Sequence, residues 1–188
     1  MKISTKRMVV MAMLAAVSIL LVWLIHFPIF PAYGFLEYDM ADVPILIGTF
    51  LFGPLSGLLL TFVVSAIQAF TVSAASGWVG GLMHFCATGA FVLVAGFVYK
   101  KLRSRTGATL ALILGTLTMT LVMIPLNLTI TVHFWGLPRD VVMGMLVPGI
   151  IPFNLIKAGA NSIMTFAVYK SVGSLLRVQT LESKTQKA

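Results

Sequence analysis

Apolar residues in this chain run in stretches as long as a bilayer is thick, and all the lysines and arginines but Arg139 and Lys157 fall in three places. These are Lys2, Lys6 and Arg7; Lys100, Lys101, Arg103 and Arg105; and Lys170, Arg177, Lys184 and Lys187. Inside hydrocarbon every backbone donor and acceptor must be satisfied within the protein, so runs of this length fold as helices. Of the 188 residues 59% are hydrophobic and only 10% charged, with a mean hydropathy of +1.03, too few charges to cover a soluble surface. The fold class is therefore an all-α integral membrane protein. The formal net charge of +8 marks topology and not a nucleic-acid surface, because no aromatic-basic interleaving accompanies the cations. Cys86, the single cysteine, lies in an apolar run, makes no intrachain disulfide and reads as a small core residue.

Charge parity sets the number of crossings. The clusters at the N-terminus and at 100 to 105 both belong on the cytoplasmic side, so the chain between them crosses an even number of times. Segments 8 to 25 and 79 to 99 supply two crossings. The apolar run 43 to 72 must then supply two more, split at Gly53-Pro54, although its first piece, 43 to 52, is short for a straight span. Segment 107 to 131, broken at Pro125, and the final apolar helix complete six transmembrane helices with both termini inside. Residues 1 to 176 form one membrane domain and 177 to 188 a polar cytoplasmic tail that frays. The first segment is not a cleaved signal, since it is of spanning length and leads into His26-Phe27-Pro28. Residues 28 to 42, with three acids and no lysine or arginine, form an outer loop, as do 132 to 146. Asp42, just before Val43-Pro44, is expected to cap the next helix.

Polar residues inside the spans single out candidate sites. Asn154, Lys157 and Asn161 stand at i, i+3 and i+7 and share one helix face. A lysine in mid-membrane costs roughly 2.5–3.5 kcal/mol to insert, so it faces protein or a wet cavity unless it snorkels to the headgroups. On this reading a neutral side chain at 157 should not lower stability. Asn127 follows Pro125, whose missing N–H frees a carbonyl and marks a second stretch of cavity wall. His84 and Thr88 are one turn apart, either a structural pair or a ligand contact. Trp78, at the far end of a connector spanning 71 to 81, is either an interfacial anchor or a cover over a ligand. Ala12, Ala15 and Ala16 give the first helix a smooth strip for close helix approach, and Gly53 with Gly57 forms a G-xxx-G pair.

No phosphate loop, H-E-xx-H cluster or G-x-S-x-G elbow occurs in the sequence, so neither ATP hydrolysis nor a catalytic centre is indicated. Titratable groups are scarce in the spans, which disfavours a proton-coupled carrier. A small binder of an organic solute is what these residues suit, and the different class to set against it is a structural or regulatory membrane subunit whose polar stripe packs helices.

Leu36-Glu37-Tyr38-Asp39-Met40-Ala41-Asp42-Val43-Pro44 and Phe52-Gly53-Pro54-Leu55-Ser56-Gly57 resemble the D-x-x-D-[VI]-P and FGP-x-x-G signatures of S components, the substrate-binding subunits of energy-coupling factor (ECF) vitamin transporters. Ile124-Pro125-Leu126-Asn127 and Gly149-Ile150-Ile151-Pro152-Phe153-Asn154-Leu155-Ile156-Lys157 are similar to pieces of the riboflavin-specific members, and the likeness runs from about residue 8 to 172. The third helix departs from the K-N-x-L of many riboflavin members, reading Val64-Ser65-Ala66-Ile67-Gln68. The resemblance implies a multi-pass protein of the bacterial plasma membrane that binds riboflavin as a transported ligand, without a cofactor of its own. It works with a membrane scaffold subunit and two ATPases that hydrolyse ATP. It also implies that Asn127, Asn154 and Lys157 bond the flavin and its ribityl chain, and the polar and aromatic residues singled out above add Asn161, Trp78 and His84 as further candidates. Leu36 and Tyr38 would close over it, and Ala12, Ala15 and Ala16 would meet the scaffold. Pantothenate is the alternative substrate, since its carboxylate suits Lys157.

Overall fold

Each apolar run closes its own hydrogen bonds as a helix, and the breaks fall at glycine and proline. The computed structural model describes residues 5 to 71 and 77 to 185, with side chains described as far as Tyr169. Helix α1 spans Thr5–Leu24, α2 Asp42–Phe52, α3 Pro54–Phe70 and α4 Gly77–Leu102. Helix α5 runs Arg105–Trp135 with a π-helical turn at Asn127–Thr131. Helix α6 starts as Arg139–Met145, passes a second π turn at Leu146–Ile150 and continues as Ile151–Thr185. The segment after Arg177, expected to fray, continues that helix to Thr185, and 186 to 188 lie outside the described residues.

The apolar run 43 to 72 does divide at Gly53-Pro54. Gly53 has φ +92°, a conformation open to glycine, and Pro54 opens α3. The two glycines of the G-xxx-G pair have separate duties. Gly53 turns the corner with nothing within 4 Å of a built Cβ, whereas a Cβ on Gly57 would sit 2.0 Å from Thr49 Oγ1 and 2.5 Å from a Val92 methyl. Arg7 donates to Phe52 O at 2.9 Å and reaches Ser56, so this corner lies at the end where α1 begins. Four helices, α1, α4, α5 and α6, are long and apolar enough to cross a membrane; α2, with 11 residues, and α3, with 17, are shorter. An 11-residue helix rises about 16 Å, half a hydrocarbon core. Nine of its residues are buried, so α2 is walled in by protein on every side.

The segment between α1 and α2 carries two short strands. Strand β1, His26–Pro28, pairs antiparallel with β2, Glu37–Asp39, in the register His26 to Asp39, Phe27 to Tyr38 and Pro28 to Glu37. The outer loop is thus a hairpin, and Leu36, Tyr38 and Asp39 on it are buried. Asp42 does not cap α2. Ala41 holds that position without a side-chain bond, while Asp42 is the first helical residue and fully buried. Its carboxylate still sits at the positive end of the helix, but its bonds go to other helices.

Pro125 does not end its helix either. The π turn that follows absorbs the lost bond, and Asn127 Nδ2 donates back to Met123 O at 2.8 Å. Gly136, at φ +65°, ends α5, so the outer loop expected over 132 to 146 shrinks to a short turn between Trp135 and Arg139. Helix α4 starts at Gly77, so Trp78 and Gly80 are helical and not part of a connector; residues 72 to 76 lie outside the described ones. On α1 the buried stripe is Met11, Ala15, Ser18 and Val22. Ala15 therefore points into the core, and only Ala12 and Ala16 of the expected strip are exposed. A belt of exposed large apolar side chains, among them Trp23, Phe62, Phe97 and Leu121, covers the outside of the bundle, as lipid contact requires.

Candidate substrate-binding site

Four helices and the hairpin line a partly open cavity of about 130 Å³. The hairpin contributes His26, Phe35, Leu36, Glu37 and Asp39. Gln68, Met83, His84 and Ala87 line the α3–α4 side, Met119, Met123, Asn127 and Trp135 come from α5, and Phe153, Asn154 and Lys157 from α6. Aromatic and thioether surface with a few converging polar groups is the makeup of a small-molecule site. A second groove, between Leu112, Ile113 and Ile163 on the outer face of α5 and α6, has only threonine and serine for polarity and suits acyl chains.

The two π turns set the polar wall. Asn127 stands at the start of the first, and Asn154 follows the second by one turn. Asn154 Nδ2 donates to Ile150 O at 2.7 Å, as Asn127 does to Met123 O, so each amide is tied back to its own helix. Asn127 Oδ1 in addition accepts from Thr131 at 3.1 Å.

Lys157 is held differently from what its helix face alone suggests. Its Nζ donates to Asp39 Oδ2 at 2.7 Å, with a longer contact of 3.5 Å to Glu37 O, and both partners of the ion pair are 6% exposed. A buried charge persists only when paired and hydrogen-bonded. Asp39 meets this condition fully: its Oδ1 also accepts the Ala41 N–H at 2.9 Å. An ammonium has three N–H donors, so Lys157 keeps donor capacity toward the cavity it lines.

Behind this pair lies a second layer. Asn161 Nδ2 donates to Asp39 O at 3.1 Å and to Asp42 Oδ2 at 3.2 Å, and its Oδ1 accepts from Tyr38 at 3.0 Å. Burial first, then the Asp39 carboxylate, pushes the Tyr38 phenol above its ordinary value, which keeps it a donor. Thr88 donates to Asp42 Oδ1 at 2.9 Å, and His84 Nε2 lies 3.5 Å from the same oxygen. His84 Nδ1 is 2.7 Å from Ser65 Oγ.

Of the residues singled out by sequence, Asn127, Asn154, Lys157, Leu36 and His84 share the cavity wall. Tyr38 and Asn161 do not reach it and instead brace the acids behind it. Trp78 is away from the cavity, 57% exposed and stacked edge-on against Phe134 at 4.8 Å between ring centres. The indole at the site is that of Trp135. The expectation that a neutral residue at 157 leaves stability intact is also corrected, because removing the cation strands a buried Asp39 carboxylate.

The family model for the substrate-specific component of ECF transporters matches residues 6 to 169. The chain belongs to the ECF substrate-specific component family. A solved S component of a bacterial ECF transporter is 33% identical, with a TM-score of 0.80 over 91% of this chain and 97% of its own. The chain is also 33% identical to the riboflavin transporter FmnP of Bacillus subtilis, over 81% of this chain and 84% of that protein. It is 32% identical to the riboflavin transporter RibU of Staphylococcus aureus, over 92% and 93%. Six helices in a membrane and a transport role, not an enzymatic one, agree with these relatives.

The sequence marks Asp39 and Asp42 of this S component only as signature residues, and Asp42 as a helix cap, because an acidic, lysine-free loop reads as solvated. One signal was available. A buried lysine needs an acid, and the chain has only five acidic residues, three of them at 37, 39 and 42. Gln68, Phe35, Trp135 and Phe153 carry no comparable mark, since aromatic residues and isolated amides are common in such helices.

Proposed function

We propose that this S component binds riboflavin in the cavity between the hairpin, α3–α4 and α5–α6. It delivers the vitamin across the plasma membrane together with a scaffold subunit and two ATPases. One observation carries the reading: aromatic side chains, Phe35, Trp135 and Phe153, share a single cavity with the polar set Asn127, Asn154 and Lys157. A tricyclic ring needs a flat apolar slot and several separated donors and acceptors for its edges and its ribityl hydroxyls. The riboflavin transporters among its relatives support the same assignment. Pantothenate fits less well. The positive charge its carboxylate would seek is already neutralised by Asp39, and Glu37 also lines the cavity.

Both termini and the turn around Ser104 face the cytoplasm, with the hairpin outside, so the vitamin enters from the outer face. The exposed side of α1 around Ala12 and Ala16 meets the scaffold, because small residues let helices approach closely. The ATPases are separate subunits, in keeping with a sequence that carries no phosphate loop.

Colour gives the first test. Protein purified in detergent from riboflavin-fed cells is expected to be yellow, with quenched flavin fluorescence. Calorimetric titration of stripped protein should show tight riboflavin binding and none for pantothenate; the reverse result refutes the assignment.

A further inference from the structure

Most polar side chains around the cavity are spoken for. His84 is held by Ser65 and Asp42, Asn127 by Met123 O and Thr131, Asn154 by Ile150 O, and Lys157 by Asp39. Gln68, on α3, lines the same cavity and is 3% exposed, yet its carboxamide makes no hydrogen bond among the described residues. Neither polar atom of the carboxamide is sealed off from the cavity, so a molecule bound there can supply the partners that the protein does not. We propose that Gln68 is a specificity residue that pairs with the imide edge of the bound flavin, an inference that rests on the riboflavin reading above.

The chemistry that Gln68 suits is narrow. Its carboxamide presents one acceptor and two donors in a single plane. A cyclic imide, an N–H between two carbonyls, matches it at two points: the imide N–H donates to Oε1 while Nε2 donates to one imide carbonyl. A ribityl hydroxyl engages one point at a time. The asparagines are less suited to a two-point contact, because each has already committed an amide N–H to its own helix. Lys157, a donor without an acceptor, suits hydroxyls or ring nitrogens. Gln68 therefore reads the ring edge, leaving the α5–α6 wall to the hydroxylated chain.

The test uses three flavins against the full-length protein in detergent, with binding followed by fluorescence quenching. Riboflavin has both imide and ribityl chain, lumiflavin keeps the imide without the chain, and 3-methylriboflavin keeps the chain with the imide N–H blocked. Gln68→Leu is expected to weaken riboflavin and lumiflavin by the same factor, about ten- to a hundred-fold. 3-Methylriboflavin should bind wild type and Gln68→Leu equally weakly. Gln68→Glu, close in shape and able to accept but not to donate, should give an intermediate loss and carries the test if the leucine variant does not fold. Undiminished riboflavin affinity in both variants overturns the proposal. So does a loss that persists with 3-methylriboflavin and vanishes with lumiflavin, which would put Gln68 on the ribityl chain. Tight flavin binding by wild type in either of those cases leaves the riboflavin reading standing; a wild type that binds none of the three overturns both.

Discussion

Lys157 Nζ and Asp39 Oδ2 meet at 2.7 Å across 118 residues of sequence, and this contact fastens the hairpin to α6 at the wall of the cavity. The same lysine that faces the cavity thus also holds down the segment that covers it. Asn161, one turn further along α6, repeats the arrangement with Asp39 O and Asp42.

Breaking that pair from either side should destabilise the empty protein. Lys157→Met and Asp39→Leu each leave an uncompensated buried charge, an effect of about 3–5 kcal/mol. The double variant, which removes both charges, should recover most of the loss. Thermal unfolding in detergent checks this, and single variants that melt with wild type would show that the pair holds nothing together.

Ligand affinity should fall with Lys157 as well. Loss of a charge-assisted bond worth about 1.5–3 kcal/mol predicts riboflavin affinity lowered about 10- to 150-fold in Lys157→Met, read by calorimetry under conditions where the variant remains folded. Equal affinity would mean that Lys157 serves the hairpin alone.

Helix α1 presents two faces with opposite expectations. Ala12→Leu with Ala16→Leu adds bulk on the exposed side, so uptake in cells should be abolished while vitamin binding by the isolated subunit stays unchanged. Ala15→Leu forces a larger side chain into the core and should cost about 1–3 kcal/mol of stability. Lost binding in the Ala12, Ala16 variant would assign that face to the site.

Cysteine labelling in a Cys86→Ala background reports the orientation. A cysteine at Glu37 should react with an impermeant reagent added outside intact cells, and one at Ser104 only after the membrane is opened. Outside labelling at 104 would refute the charge parity on which the six crossings were counted.

Gly57→Ala probes the corner between α2 and α3. The added methyl would press on Thr49 and Val92 at 2.0 and 2.5 Å, so stability should drop by about 1–3 kcal/mol with the cavity residues untouched. A variant as stable as wild type would mean that α2 and α3 separate easily.

The sequence by itself determined the class of fold, the break at Gly53-Pro54, and the helix face that carries Asn154, Lys157 and Asn161. These depend on local quantities: the length of apolar runs, the backbone limits of glycine and proline, and the 3.6-residue period. Tertiary structure decided which of those residues line the cavity. Tyr38 and Asn161 turned out to brace Asp39 and Asp42, and the indole at the cavity came from Trp135 and not Trp78. It also decided that two acids of an apparently solvated loop are buried, since nothing within the loop reveals that a lysine 118 residues away will meet one of them. Partners far apart in sequence are chosen by how helices pack, and Gln68 acquires its open carboxamide only because that packing leaves it facing a cavity without a hydrogen-bond partner among the described residues.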